Sequence, residues 1–113
     1  MNKSTEKHII LLTGLGHFLV HCVTMILPAI LILLESEYEI SLVKLGTLVT
    51  TQFLFMGLGG LPSGVLVDRF SSKRILIIYF IGLSLSCIWL YNSTSYLSFV
   101  IGMASLGLVA GLY

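Results

Sequence analysis

Apolar residues run through this chain in four long blocks, separated by short polar interruptions. The first block spans Ile9 to Leu34 and closes on the acidic patch Glu35-Ser36-Glu37-Tyr38-Glu39. The second runs from Leu42 to Val67 and ends at a charged cluster around Asp68. The third runs from Ile75 to Tyr91 and stops at the polar turn Asn92-Ser93-Thr94-Ser95; the fourth begins near Tyr96 and is still apolar at Tyr113. A hydrocarbon core of roughly 30 Å takes about 20 helical residues to cross. The first two blocks exceed that length and predict tilted spans, and the third sits at the short end. Backbone N–H and C=O groups in lipid must be satisfied within the segment, so all four blocks predict α-helices. The expected fold class is an all-α membrane protein with four transmembrane helices, at about 9–34, 42–67, 75–91 and 96–113.

Composition changes the picture only by excluding a soluble alternative. The chain is 57% hydrophobic and 10% charged, with a mean hydropathy of +1.05. A soluble domain carries about 25% charged residues, so this chain lacks the polar surface to stay in water and is expected to be an integral, multi-pass membrane protein. A net charge of +1 with no basic stripe points away from a nucleic-acid partner. Cys22 and Cys87 both lie within apolar blocks, where they behave as small hydrophobes; they form neither a disulfide framework nor a metal site. The N-terminal block is far longer than the 7–15 apolar residues of a secretory signal, and no small-residue cleavage site follows it, so it predicts a retained span.

Charge then sets the orientation. Lys3, Lys7, Arg69, Lys73 and Arg74 flank the first span's start and the second span's end, which share one face, while Lys44 stands alone on the other beside three glutamates. The positive-inside rule places the face with five basic residues in the cytoplasm. With a cytoplasmic N-terminus, the expected location is a bacterial inner (plasma) membrane. Trp89, Tyr91 and Tyr96 flank the outer turn, as interfacial aromatics do. Asn92-Ser93-Thr94 matches a glycosylation sequon, but its closeness to the membrane favours a plain polar turn.

No Asp, Glu, Lys or Arg lies near the middle of any block, so the polar exceptions carry the interest. Thr13, His17, His21 and Thr24 follow i, i+4, i+8, i+11 spacing and share one helix face. Polar groups are costly against lipid, so this face is expected to line a cavity or meet a neighbouring helix. An imidazole titrates near pH 6.5, which leaves proton coupling open as a role beside substrate binding. Two histidines without a cysteine or carboxylate partner fall short of a metal site, since a structural zinc takes four ligands. Pro28 removes one backbone hydrogen bond from the same helix and predicts a bend there. Thr47, Thr50, Thr51 and Gln52 make the outer half of the second span wetter, in keeping with an interface or pathway.

Glycine is concentrated where helices must approach. Gly57, Gly60 and Gly64 share a face of the second span, and Ala104, Gly107 and Gly111 repeat the spacing on the fourth. Gly60 with Gly64, and Gly107 with Gly111, form GxxxG pairs, which let backbones pack closely in lipid. They do not form a dinucleotide fingerprint, because no strand–turn–helix unit surrounds them. No catalytic residues are expected, since no nucleophile–base pair or metal set is present, and no cofactor is expected.

The charged cluster carries the one specific motif. Gly64, Asp68, Arg69, Lys73 and Arg74 resemble the signature loop between the second and third spans of the major facilitator superfamily. That pattern runs Gly, three residues, Asp, a basic residue, one residue, Gly, then further basic residues. Here Ser71 stands where the second family glycine would be, and Ser72 where a basic residue often sits; a serine there can cap the next helix. Gly59-Gly60-Leu61-Pro62-Ser63 and the first-span residues Gly14, Gly16-His17-Phe18, His21 and Leu27-Pro28-Ala29 also look like the family. The resemblance implies a secondary transporter with twelve helices in two halves, each half made of inverted three-helix repeats, with a small-molecule substrate bound near the midplane. It further implies that Asp68 joins a charge network latching the cytoplasmic side, supported by Arg69, Lys73 and Arg74, which also anchor to anionic headgroups.

Twelve spans need several hundred residues, so residues 1–113 are expected to be the N-terminal part of such a domain, incomplete at the C-terminus and inactive alone. Its partners would then be the remaining helices, the lipid bilayer and a small-molecule substrate. Two other readings stand beside this one. A small four-helix multidrug transporter has this length, but it depends on a first-helix glutamate within the membrane, which this span lacks. A non-transporting membrane helper subunit is the other.

Overall fold

The computed structural model describes residues 3–113. These form four helices in sequence: α1 (Lys3–Tyr38), α2 (Leu42–Phe70), α3 (Ser72–Tyr91) and α4 (Tyr96–Ala110). No strand occurs among the described residues. At 1.5 Å per residue, the 36 residues of α1 extend about 54 Å, so α1 alone runs the 54 Å length of the molecule. Three helices are long and apolar enough to cross a membrane: α1 within Lys3–Ile30, α2 and α3. The fourth is shorter than the expected 96–113 span. It has 15 residues, or about 22 Å, and residues 111–113 leave it as a turn in which the Gly111 N–H still reaches the Gly107 carbonyl at 3.0 Å.

Each helix end has a local cause. Glu39 adopts φ 52°, outside the helical region, and ends α1. Ser41 then caps α2, its hydroxyl accepting from the Lys44 N–H at 3.5 Å. The turn after α3 is closed by its own polar side chains. Asn92 Nδ2 donates to the Ile88 carbonyl at 2.7 Å, Ser93 Oγ to the Trp89 carbonyl at 2.9 Å, and the Ser95 hydroxyl caps α4 by accepting from the Ser98 N–H at 3.2 Å. Three of the four polar residues of this turn are thereby used to satisfy helix ends, as the plain-turn expectation for Asn92 requires.

Packing is uneven. α2 and α4 make the most intimate pair, α3 packs on α4, and α1 touches the others least. The α2–α4 contact brings backbone against backbone. A methyl group at Gly59 would collide with the Leu108 carbonyl, one at Gly107 with the Gln52 carbonyl, and one at Gly111 with the Met56 carbonyl. Gly60 meets Gly111 at ordinary van der Waals distance, whereas Gly57 and Gly64 look onto open space. The α2 glycines that pack within this chain are thus Gly59 and, more loosely, Gly60. Around this crossing, Leu45, Leu48, Tyr79, Met103 and Leu106 form the buried core. Toward the Tyr96 end, the Thr47 hydroxyl and Tyr96 phenol lie 2.5 Å apart. Between α3 and α4, Ser86 Oγ meets Ser105 Oγ at 2.8 Å.

By contrast, Ile10, Leu11, Leu12, Phe18, Ile32 and Leu33 of α1 are all more than 60% exposed. Apolar exposure on that scale suits a lipid-facing helix.

Candidate functional site

Two regions gather the polar residues of the apolar spans. The first is a cleft of about 360 Å³ between α1, α2 and the end of α4. His17, Val20, His21, Thr24 and Met25 line it from α1, Phe53 and Met56 from α2, and Ala110, Gly111 and Tyr113 from the far end of the chain. The two imidazoles lie one helical turn apart. Their Nε2 atoms are separated by 3.1 Å, and the rings meet edge to face with centroids 4.5 Å apart. One Nε2 therefore carries the proton and the other accepts it. The His17 ring also stacks at 5.7 Å from Tyr113, which lies 5.2 Å from the buried Tyr79.

Thr13 lies one turn before His17 and outside the cleft lining. Its hydroxyl donates back to the Ile9 carbonyl at 2.8 Å, and its own carbonyl accepts the Tyr113 phenol. Of the four polar positions on this face of α1, the fold brings His17, His21 and Thr24 together in the cleft. Among the described residues, the lining contains no carboxylate, lysine or arginine, and no group of three or more His, Cys, Asp or Glu converges.

Thr24 shows why this part of α1 needs α2. In a helix the Thr24 carbonyl would accept the N–H of residue 28, but that residue is Pro28 and has none. Gln52 supplies the missing donor: its Nε2 reaches the Thr24 carbonyl at 3.3 Å. Gln52 is 0% exposed, and its Oε1 has no hydrogen-bond partner among the described residues. Composition marked Gln52 only as part of a wetter segment. The signal for its role was present as Pro28 four residues beyond a threonine whose carbonyl then stands free, but only the fold says which helix answers it.

The second region is the charged end of the α2–α3 hairpin. Asp68 and Arg69 lie in the last turn of α2, Lys73 and Arg74 in the first turn of α3, and Ser71 alone links the helices. All four charged side chains are exposed. Among the described residues the Asp68 carboxylate makes no ion pair or hydrogen bond, while Arg69 lies 5.6 Å from the Phe70 ring. Ser71 takes φ 77° and ψ 146°, a conformation that glycine adopts freely and other residues avoid. Its hydroxyl makes no cap for α3, contrary to the expected capping: φ 77° lies outside the extended backbone that an N-cap residue usually takes.

The dipoles of the two helices run against these charges. An acid near a helix C-terminus and bases near an N-terminus each cost about 0.3–1 kcal/mol where they are exposed. Asp68, Lys73 and Arg74 all stand at the unfavourable end of their helix. Local helix stability does not account for them.

The model of the Major Facilitator Superfamily matches residues 13–113, which take in most of α1 and all of α2, α3 and α4. The chain belongs to the Major Facilitator Superfamily. No curated protein and no solved structure matches it. Members of this superfamily are transporters rather than enzymes. Ser71, which the sequence resemblance sets at a glycine position of the family loop, takes a glycine-like conformation. Met25, Met56, Tyr79 and Tyr113 complete the surroundings of the imidazole pair. Their spacing alone did not separate them from ordinary apolar packing.

Proposed function

We propose that this chain forms the leading helices of a secondary transporter working by alternating access, in which the α1–α2–α4 cleft is part of the pathway of a small-molecule substrate. The observation that carries this reading is the imidazole pair at 3.1 Å in a cleft otherwise walled by Val20, Met25, Phe53 and Met56. Polar groups in a membrane span mark substrate or ion paths when they face a cavity. An imidazole can take up or release a proton, which makes proton coupling part of the proposal.

Asp68 acts as the gating residue, with Arg69, Lys73 and Arg74 in support. Its placement against the helix dipole, and its lack of any partner among the described residues, suit a carboxylate held for a charge network formed with further helices. The exposed Gly57 and Gly64 face of α2 suits close packing against such helices. We place the N-terminus and the Asp68–Arg74 hairpin in the cytoplasm, in a bacterial inner membrane.

Transport by the complete protein tests the gate. Initial uptake and efflux rates across a panel of labelled small molecules would be compared at matched membrane abundance. Asp68→Asn is expected to lower the rate at least about tenfold, the loss of a charge-assisted contact of about 1.5 kcal/mol or more. Unchanged rates would remove Asp68 from the mechanism.

A further inference from the structure

We propose that His17, His21, Met25 and Met56 form a site for one soft monovalent metal ion, copper(I) or silver(I), in the cleft between α1 and α2. This goes beyond the transport reading, because the site binds its ion whatever the fate of that ion. Three observations support it.

The first is position. His17, His21 and Met25 follow i, i+4, i+8 on α1, and Met56 lines the same cleft from α2. Two imidazoles and two thioethers make a four-donor set.

The second is geometry. The two Nε2 atoms converge to 3.1 Å. At a metal–imidazole distance of about 2.0–2.1 Å, two tetrahedral ligand nitrogens stand about 3.3–3.4 Å apart. The Nε2–Nε2 separation needs to grow by only a few tenths of an ångström, with the rings turning so that both lone pairs meet the ion. In the ion-free pair one Nε2 carries a proton. Binding moves that proton to Nδ1 of the same ring, so both Nε2 lone pairs face the ion and neither imidazole loses its proton.

The third is charge. The cleft has no carboxylate among the described residues. The Born cost of placing an ion in a low-dielectric site scales with the square of its charge, so a monovalent ion faces about a quarter of the cost of a divalent one. Thioether sulfur prefers soft ions such as copper(I) over zinc and harder cations. Softness and low charge therefore select the same ions.

Cys22 and Cys87 do not line the cleft and are both exposed; as thiols they would bind silver on their own. The test is an isothermal titration of silver nitrate, in chloride-free buffer, into the full chain carrying Cys22→Ser and Cys87→Ser in lipid nanodiscs. One ion per chain is expected, with a dissociation constant at or below about 10 μM and zinc at least tenfold weaker. Met25→Leu with Met56→Leu preserves apolar volume and so leaves the fold intact; it is expected to weaken silver binding at least tenfold. His17→Gln with His21→Gln is expected to weaken it further. Absence of saturable silver binding in the cysteine-free chain overturns the site, as does equal binding by both double variants, or zinc binding more tightly than silver. No transport is measured, so failure of the transport reading leaves this result standing, and the reverse also holds.

Discussion

Pro28 deprives the Thr24 carbonyl of its helical donor, and Gln52 on the neighbouring helix restores it at 3.3 Å. Replacing Gln52 by Leu should therefore destabilise the fold by about 1–3 kcal/mol, the cost of leaving a buried carbonyl unpaired. Thermal unfolding in detergent measures it. Adding Pro28→Ala to Gln52→Leu returns an N–H to the helix, so the double variant should recover part of the loss; strictly additive losses would refute the pairing. Ser71 offers the opposite sign. Its φ of 77° is strained for serine, so Ser71→Gly should stabilise by about 1 kcal/mol or more, and Ser71→Ala should not. An unchanged melting temperature for Ser71→Gly would show that the hairpin relaxes around the serine. The sequence located both residues but not their roles. Ser71 was visible as a departure from a glycine position, while its backbone angle depends on two helices turning back within a single residue. The i, i+4 spacing made the His17–His21 face legible at once. Met25 and Met56 were not legible as its neighbours, because an apolar thioether in a span looks the same whether it fills a core or faces a cleft.

At the scale of elements, the glycines of α2 and α4 do different things. Gly107→Val should separate the two helices and lower folded yield several-fold, since its side chain would enter the Gln52 backbone. Gly57→Ala should be neutral or slightly stabilising in this chain, by up to about 1 kcal/mol from helix propensity. Size-exclusion monodispersity and melting temperature distinguish these outcomes, and tolerance of Gly107→Val would refute the backbone contact. The spacing of Gly107 and Gly111 on α4 pointed to a close crossing, and both glycines do face α2. On α2 the same reasoning selected the Gly57, Gly60 and Gly64 face, whereas Gly59 meets Leu108. A periodic stripe identifies faces able to approach a neighbour; it holds no information on which face that neighbour takes when adjacent glycines offer two.

For the whole molecule, the order of four helices followed directly from apolar blocks broken by charge or turn residues. The length of α4 did not, because its apolar character continues past Ala110 where the helix stops. Orientation in the bilayer is open to direct measurement. With Cys22 and Cys87 removed, a cysteine at Glu37 should react with an impermeant thiol reagent in intact cells, and one at Ser72 should not; the reverse pattern would invert the topology. The uneven packing has a mechanical consequence. At Gly59, Gly107 and Gly111 no side chain lies between α2 and α4, so neither helix can slip past the other without one backbone passing through the next. The Ser86–Ser105 hydroxyl contact fastens α3 to the same block. α1 packs least on the rest and is held by the Gln52 amide and by the Tyr79 and Tyr113 phenols at the Gly16 and Thr13 carbonyls, so it is the helix with most freedom to swing. The cleft accordingly has two fixed walls and one hinged one, and both imidazoles ride on the hinged wall.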